Sequence, residues 1–155
     1  MVRITNSEKD TFNLGKTFSK ILTETDVVIL HGQLGAGKTT FVKGILEGLG
    51  VDSKKVVSPS FIIIREYKAK KINIYHIDLY RINKGKELVN LGYEDYFYSP
   101  RGISLVEWGE KIEHILDRFI KVEFSFLNLN QRRVKFSCKG YPQEKLRRAN
   151  EFLRD

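Results

Sequence analysis

The stretch Gly32-Gln33-Leu34-Gly35-Ala36-Gly37-Lys38-Thr39 carries the most specific chemistry in the chain. Gly, four residues, then Gly-Lys-Thr is the spacing of a phosphate-binding loop. The glycines let successive backbone N–H groups turn inward around phosphate oxygens, and the helix that follows adds the positive end of its dipole. Lys38 supplies a mobile cation for the β and γ phosphates, and Thr39 places a hydroxyl on Mg²⁺. On this reading Gly35, Ala36, Gly37, Lys38, Thr39 and Thr40 cradle a nucleotide. A turn that merely joined strand to helix would not need Lys and Thr together at its end.

Such a loop works with acids that hold the metal and orient an attacking water, set at the ends of buried parallel strands. Two runs supply them. Ile72-Asn73-Ile74-Tyr75-His76-Ile77 ends in Asp78, and Ile103-Ser104-Leu105-Val106 ends in Glu107. Either acid alone could be an ordinary solvent-facing strand end; two of them after a phosphate loop favour a site. Trp108, beside Glu107, reads either as a surface aromatic for a partner or as core packing. Cys138 is the only cysteine, which excludes an internal disulfide and a paired-thiolate zinc site. His31, His76 and His114 are too few and too scattered for a histidine metal cluster.

The elements that must position these residues are legible in the apolar pattern. Val27-Val28-Ile29-Leu30-His31 is an unbroken run of the kind found in a central parallel strand buried on both faces. Phe41, Ile45 and Leu49 recur at helical spacing over 39–49, with Gly50 as C-cap. Ahead of them, Phe12, Leu14, Phe18, Ile21 and Leu22 predict a first helix reaching about Thr23, capped from within Asn6–Asp10. Phe61 to Tyr67 and Ile72 to Ile77 predict an antiparallel hairpin across Lys68-Ala69-Lys70-Lys71. Lys84 to Leu91 reads as helical and Ile103 to Trp108 as a buried strand. Val122, Phe124 and Phe126, then Val134, Phe136 and Cys138, alternate with polar residues and pair across Asn128-Leu129-Asn130. Pro142 opens a last helix with Leu146, Ala149 and Leu153 on one stripe. The expected fold is a P-loop NTPase of the α/β class, one domain spanning 1–155, with a mostly parallel central sheet, antiparallel edge strands and helices on both faces.

The 155 residues, 41% apolar and 30% charged, match one globular domain with a core. The longest apolar runs fall far short of the roughly 20 residues that cross a bilayer, and the start has no secretory pattern, so a cytoplasmic protein is expected. Net charge is +8, and residues 118–155 hold ten basic and four acidic side chains. That C-terminal bias serves solubility or attracts RNA or an acidic partner.

The motif series resembles the TsaE family of bacterial ATPases required for threonylcarbamoyladenosine in tRNA. It comprises Leu34–Phe41, Ser58-Pro59-Ser60-Phe61, His76-Ile77-Asp78-Leu79-Tyr80-Arg81, Leu91-Gly92-Tyr93-Glu94-Asp95-Tyr96-Phe97 and Val106-Glu107-Trp108, in that order. Thr11-Phe12-Asn13-Leu14-Gly15 resembles the family's first helix. The resemblance implies ATP and Mg²⁺ as cofactors, Glu107 with Thr39 as the metal partners, and Asp78 placing water or a switch segment. It further implies Ser58-Pro59-Ser60 as a nucleotide-sensing segment and Thr11 near the adenine, with Arg133 approaching from the late hairpin. TsaD and TsaB are the implied partners, with tRNA touched indirectly or transiently and no membrane contact. Ser60 stands where threonine is common, and Gly109 where proline is common, which loosens the backbone after the acid.

Three functions fit the residues. The first is a Mg²⁺-dependent ATPase whose turnover resets a tRNA-modifying assembly, slow alone because Arg81 is the only candidate for a built-in arginine finger. The second is a small-molecule kinase, which would need an arginine-rich lid that the region after Thr40 lacks. The third is a nucleotide-gated binding module with incidental hydrolysis.

Overall fold

A computed structural model describes residues 1–56, 64–82, 87 and 92–152. Its elements in chain order are β1 (Val2–Thr5), α1 (Glu8–Phe18), β2 (Val27–His31), α2 (Lys38–Gly48), β3 (Ile64–Ala69), β4 (Ile72–Asp78), β5 (Gly102–Glu107), β6 (Phe119–Phe126), β7 (Arg132–Lys139) and α3 (Gln143–Phe152). One seven-stranded sheet runs in the order β1-β7-β6-β2-β5-β4-β3. The four central strands β6, β2, β5 and β4 are parallel. The pairs β1–β7, β6–β7 and β3–β4 are antiparallel. This is the mostly parallel centre with antiparallel edges that the sequence predicts.

β2 is apolar throughout because both of its faces are covered. On one face Val28 and Leu30 pack with Phe18, Phe41, Ile45 and Leu46 of α1 and α2. The Phe18, Phe41 and Phe136 rings lie within 5.3–6.0 Å of one another there. On the other face Val27, Ile29, Ile77 and Val106 meet Leu79, Phe97, Ile112 and Leu116, which come from loops and the ends of short 3-10 helices. Helices α1 and α2 touch backbone to backbone. A Cβ built on Gly15 would lie 2.2 Å from the Phe41 carbonyl oxygen, and one on Gly44 would lie 2.0 Å from that of Phe12.

Register sets up the site. β4 and β5 pair so that Asp78 stands opposite Glu107, and β2 and β5 pair so that Leu30 does. Both acids therefore end their strands beside the loop that follows β2.

Several boundaries differ from the sequence reading. α1 ends at Phe18, and a 3-10 turn over Ser19–Ile21 finishes the segment expected to be helical to Thr23. β1 was not anticipated. Of the first hairpin strand, the described part begins at Ile64. The segment Ser58-Pro59-Ser60, nearly all of the expected helix over 84–91, and the side chains of Leu146, Ala149 and Leu153 lie outside the described residues. Among those described, no helix is long and apolar enough to cross a membrane.

Candidate functional site

The chain leaves β2 at His31, turns through residues 32–37 and enters α2 at Lys38, with Gly37 in the left-handed conformation at the helix N-cap. Lys38 is 4% exposed. Its Nζ donates to the carbonyl oxygens of Gly32 and, at 2.9 Å, Gln33, and lies 4.1 Å from the centre of the Trp108 ring. Burial pulls its pKa below the usual lysine value, while Glu107, Glu110 and Asp78 oppose that shift.

Thr39 Oγ1 donates to Glu107 Oε2 at 2.9 Å. The other oxygen of the same carboxylate, Oε1, lies 2.8 Å from His76 Nε2. Asp78 Oδ1 accepts from the Tyr80 N–H at 2.9 Å. Its pKa is raised chiefly by burial, with the Tyr80 N–H opposing and Glu107 adding to the rise. Lys38, Thr39, Asp78, Arg81, Glu107 and Trp108 line one cavity of about 330 Å³.

A second cavity of about 250 Å³ adjoins it, lined by Ser7, Thr11, Gly35, Gly37, Thr40 and Arg132. Thr11 Oγ1 donates to the Ser7 carbonyl oxygen at 3.1 Å and lies 2.9 Å from Thr5 Oγ1, so Thr5 is the donor in that pair. Thr40 Oγ1 donates to Glu8 at 3.2 Å. The structure thus gathers Gly35, Gly37, Lys38, Thr39, Thr40, Asp78, Glu107 and Thr11 around two adjoining cavities, with Ala36 buried beneath the loop.

Arg132, and not Arg133, is the arginine facing Thr11. β7 alternates, and Val134 and Phe136 point into the core with Arg132 in their phase, while Arg133 is exposed and paired in register with Ile4. The Arg132 guanidinium sits 4.6 Å from the centre of the Phe126 ring.

Trp108 is half-buried with φ +60, its ring centre 5.1 Å from that of Tyr80 and tilted 44° to it. It packs against the core of the second sheet face and also roofs the lysine, so the core-packing reading holds in part. Gly109 is tightly enclosed. A Cβ there would fall 2.5 Å from Ile29 Cβ, so its small size is what lets the chain turn against β2.

The sequence model of the family described as Threonylcarbamoyl adenosine biosynthesis protein TsaE matches residues 5–134. This chain belongs to the TsaE family. A Rickettsia typhi protein named tRNA threonylcarbamoyladenosine biosynthesis protein TsaE is 39% identical over 128 residues, 82% of this chain and 88% of the relative. A Bacillus subtilis protein of the same name is 40% identical over 122 residues, 78% of this chain and 75% of the relative. A solved structure titled "Crystal structure of Bacillus subtilus YdiB" superposes with a TM-score of 0.78 at 29% identity, covering 99% of this chain and 93% of that one. The TsaE match takes in every candidate site residue and stops in β7, leaving α3 beyond it.

Sequence reasoning placed His76 and Tyr80 in a motif without giving either a role in the candidate site, and missed Lys111. Lys111 Nζ donates to the carbonyl oxygens of Leu79, Tyr80 and Ile82 at 2.7–2.8 Å, pinning the loop after Asp78. No motif marks a lysine for that task. His76 had a signal, since a strand places it on the same face as Asp78 two residues on.

Proposed function

We propose that this chain is a Mg²⁺-dependent ATPase acting in tRNA threonylcarbamoyladenosine biosynthesis, alongside TsaD- and TsaB-like proteins and in indirect or transient contact with tRNA. The observation that carries the reading is the Thr39–Glu107 hydrogen bond at the start of α2, inside the loop-and-strand-end cavity. Hydroxyl and carboxylate oxygens are the donors Mg²⁺ selects, and it takes only one or two from protein, so the residues present fit the ion. Thr39 and Glu107 would hold it. When bound, Mg²⁺ would neutralise charge on the outer phosphate oxygens.

The chain's own residues do the rest. Backbone N–H groups of 35–40 and the dipole of α2 receive phosphate oxygens. Lys38 Nζ gives two of its three N–H donors to the Gly32 and Gln33 carbonyls, which leaves one for a phosphate oxygen, and Trp108 covers it. Asp78 offers a carboxylate oxygen to a water in the same cavity. Thr11 and Arg132 frame the space for the base, Arg132 with a planar cation suited to a π face. Leu34 and Tyr80, 71% and 48% exposed at the rim, give a partner an apolar hold next to the nucleotide. Slow turnover alone is expected, because partners commonly complete a lone P-loop site.

Phosphate release from ATP tests this, measured for the chain alone, with TsaB, TsaD and tRNA, and with candidate small acceptors. Stimulation by the assembly supports the reading, and a phosphorylated small molecule ends it. Lys38→Ala should abolish productive nucleotide binding and Glu107→Ala should weaken the response to Mg²⁺. Full magnesium-dependent turnover in both variants would refute the site.

A further inference from the structure

We infer that His76 is a positioning residue, which holds the Glu107 carboxylate in the one orientation that presents its other oxygen to Thr39; this rests on the metal role proposed above for Thr39 and Glu107. Three side chains from three elements form a line: Thr39 on α2, Glu107 on β5 and His76 on β4. The contacts are 2.9 Å and 2.8 Å, and the two ends engage different oxygens of one carboxylate. Glu107 is 3% exposed and His76 fully buried. The carboxylate cannot rotate about its terminal bond without breaking one contact.

The hydrogen on the imidazole follows from its surroundings. Among the described residues, the buried His76 Nδ1 has no hydrogen-bond partner. Were the hydrogen on Nδ1, a buried N–H would go unpaired and two lone pairs would face each other at 2.8 Å. With the hydrogen on Nε2, it donates to Glu107 Oε1 and only an acceptor is left unpaired, the cheaper of the two arrangements. His76 is therefore a donor to a carboxylate.

Packing does not call for this residue. The same face of β4 carries Ile74, and the neighbouring strand supplies Leu105 in register with His76. An apolar side chain would fill the place without a buried, half-satisfied ring. What the imidazole adds is direction. Groups that hydrogen-bond a metal-ligating carboxylate fix its geometry, and their removal typically lowers metal affinity by about 10–100-fold.

The test compares the unmodified chain with His76→Leu, which removes the donor, and His76→Gln, which keeps one. Trp108 is the only tryptophan and adjoins Glu107 in the chain, so its fluorescence reports on the site. Each protein is titrated with a nonhydrolysable ATP analogue in EDTA, then with Mg²⁺ at saturating analogue. We expect metal-free binding of the analogue to agree within about twofold across the three, half-saturating Mg²⁺ to rise about tenfold or more in His76→Leu, and most of that loss to be recovered in His76→Gln. Unchanged Mg²⁺ dependence in His76→Leu would overturn the inference, as would a His76→Gln chain as impaired as His76→Leu, since packing alone would then explain both. No binding of the analogue by the unmodified chain would instead remove the nucleotide reading itself, and this inference with it.

A measurement on the metal-free, unmodified chain stands whether or not the variants fold. Long-range ¹⁵N–¹H correlation spectra of its three histidines should show the His76 ring protonated at Nε2. A ring protonated at Nδ1 alone would overturn the inference.

Discussion

Asp78 shows what its buried place in the candidate site costs a carboxylate. Burial raises its pKa, so the folded chain holds the proton more tightly than the unfolded one. The sign follows from linkage: between the two pKa values the folded state binds more protons, and stability falls as pH rises through the folded value. At neutral pH the carboxylate is a cost, relieved on acidification toward the unfolded value near about 3.9. Asp78→Asn keeps the acceptor for the Tyr80 N–H and deletes the charge. We expect it to melt a few degrees above the unmodified chain at pH 7, with the gap closing by about pH 4, while phosphate release drops. Thermal melts at the two pH values check this, and a lower melting temperature at pH 7 would mean that Lys38 more than offsets the burial. At this scale much of the site was legible, because Lys38, Thr39, Asp78 and Glu107 owe their positions to one loop and two strand ends. What was misread or missed depends on phase and on tertiary contact. Arg132 and Arg133 exchange roles on a one-residue shift of a period-two pattern, and Lys111 acts only through carbonyls that β4 brings to it.

Helices α1 and α2 form the element that should couple stability to the proposed nucleotide loop. Their contact is closest where Gly15 meets the Phe41 carbonyl and Gly44 meets that of Phe12, distances that no side chain tolerates. Because α2 begins at Lys38, pushing the helices apart moves the phosphate loop as well as the core. Gly44→Ala should therefore destabilise the chain by about 1–3 kcal/mol, the range for overpacking, and weaken binding of a nucleotide analogue too. Denaturant unfolding and analogue titration measure the two effects, and a stable variant with intact binding would show that the helices can slide apart freely. The parts of these elements that the sequence made clear are those with long, strong periods, such as α2 and the β6–β7 hairpin. β1 escaped because only four residues form it at the sheet edge, and only Thr5 among them is buried. The early end of α1 is a backbone matter: Ser19 Oγ donates to the Lys16 carbonyl oxygen and the last turn tightens to 3-10, which apolar spacing does not encode.

Across the whole molecule the sheet separates two kinds of charge cluster. At the carboxyl end of β2 lie the loop and acids of the proposed nucleotide site. At its other end Asp26, 2% exposed, accepts from Lys145 Nζ at 2.6 and 2.7 Å, from the Tyr141 hydroxyl at 2.9 Å and from the Thr23 N–H at 2.8 Å. Lys145 belongs to α3, which lies beyond the TsaE match, so one ion pair fastens the C-terminal helix to the start of the central strand. Removing the lysine strands a buried carboxylate with fewer donors, and Lys145→Met should cost about 3 kcal/mol. Adding Asp26→Asn removes the stranded charge, so the double variant should recover part of that loss, as a double-mutant cycle in denaturant would show. The five residues of β2 keep the two clusters roughly 15 Å apart, farther than side-chain perturbations usually couple. Analogue affinity should accordingly stay within about twofold in both variants. An affinity that fell in step with stability would mean instead that β2 transmits the state of α3 to the phosphate loop.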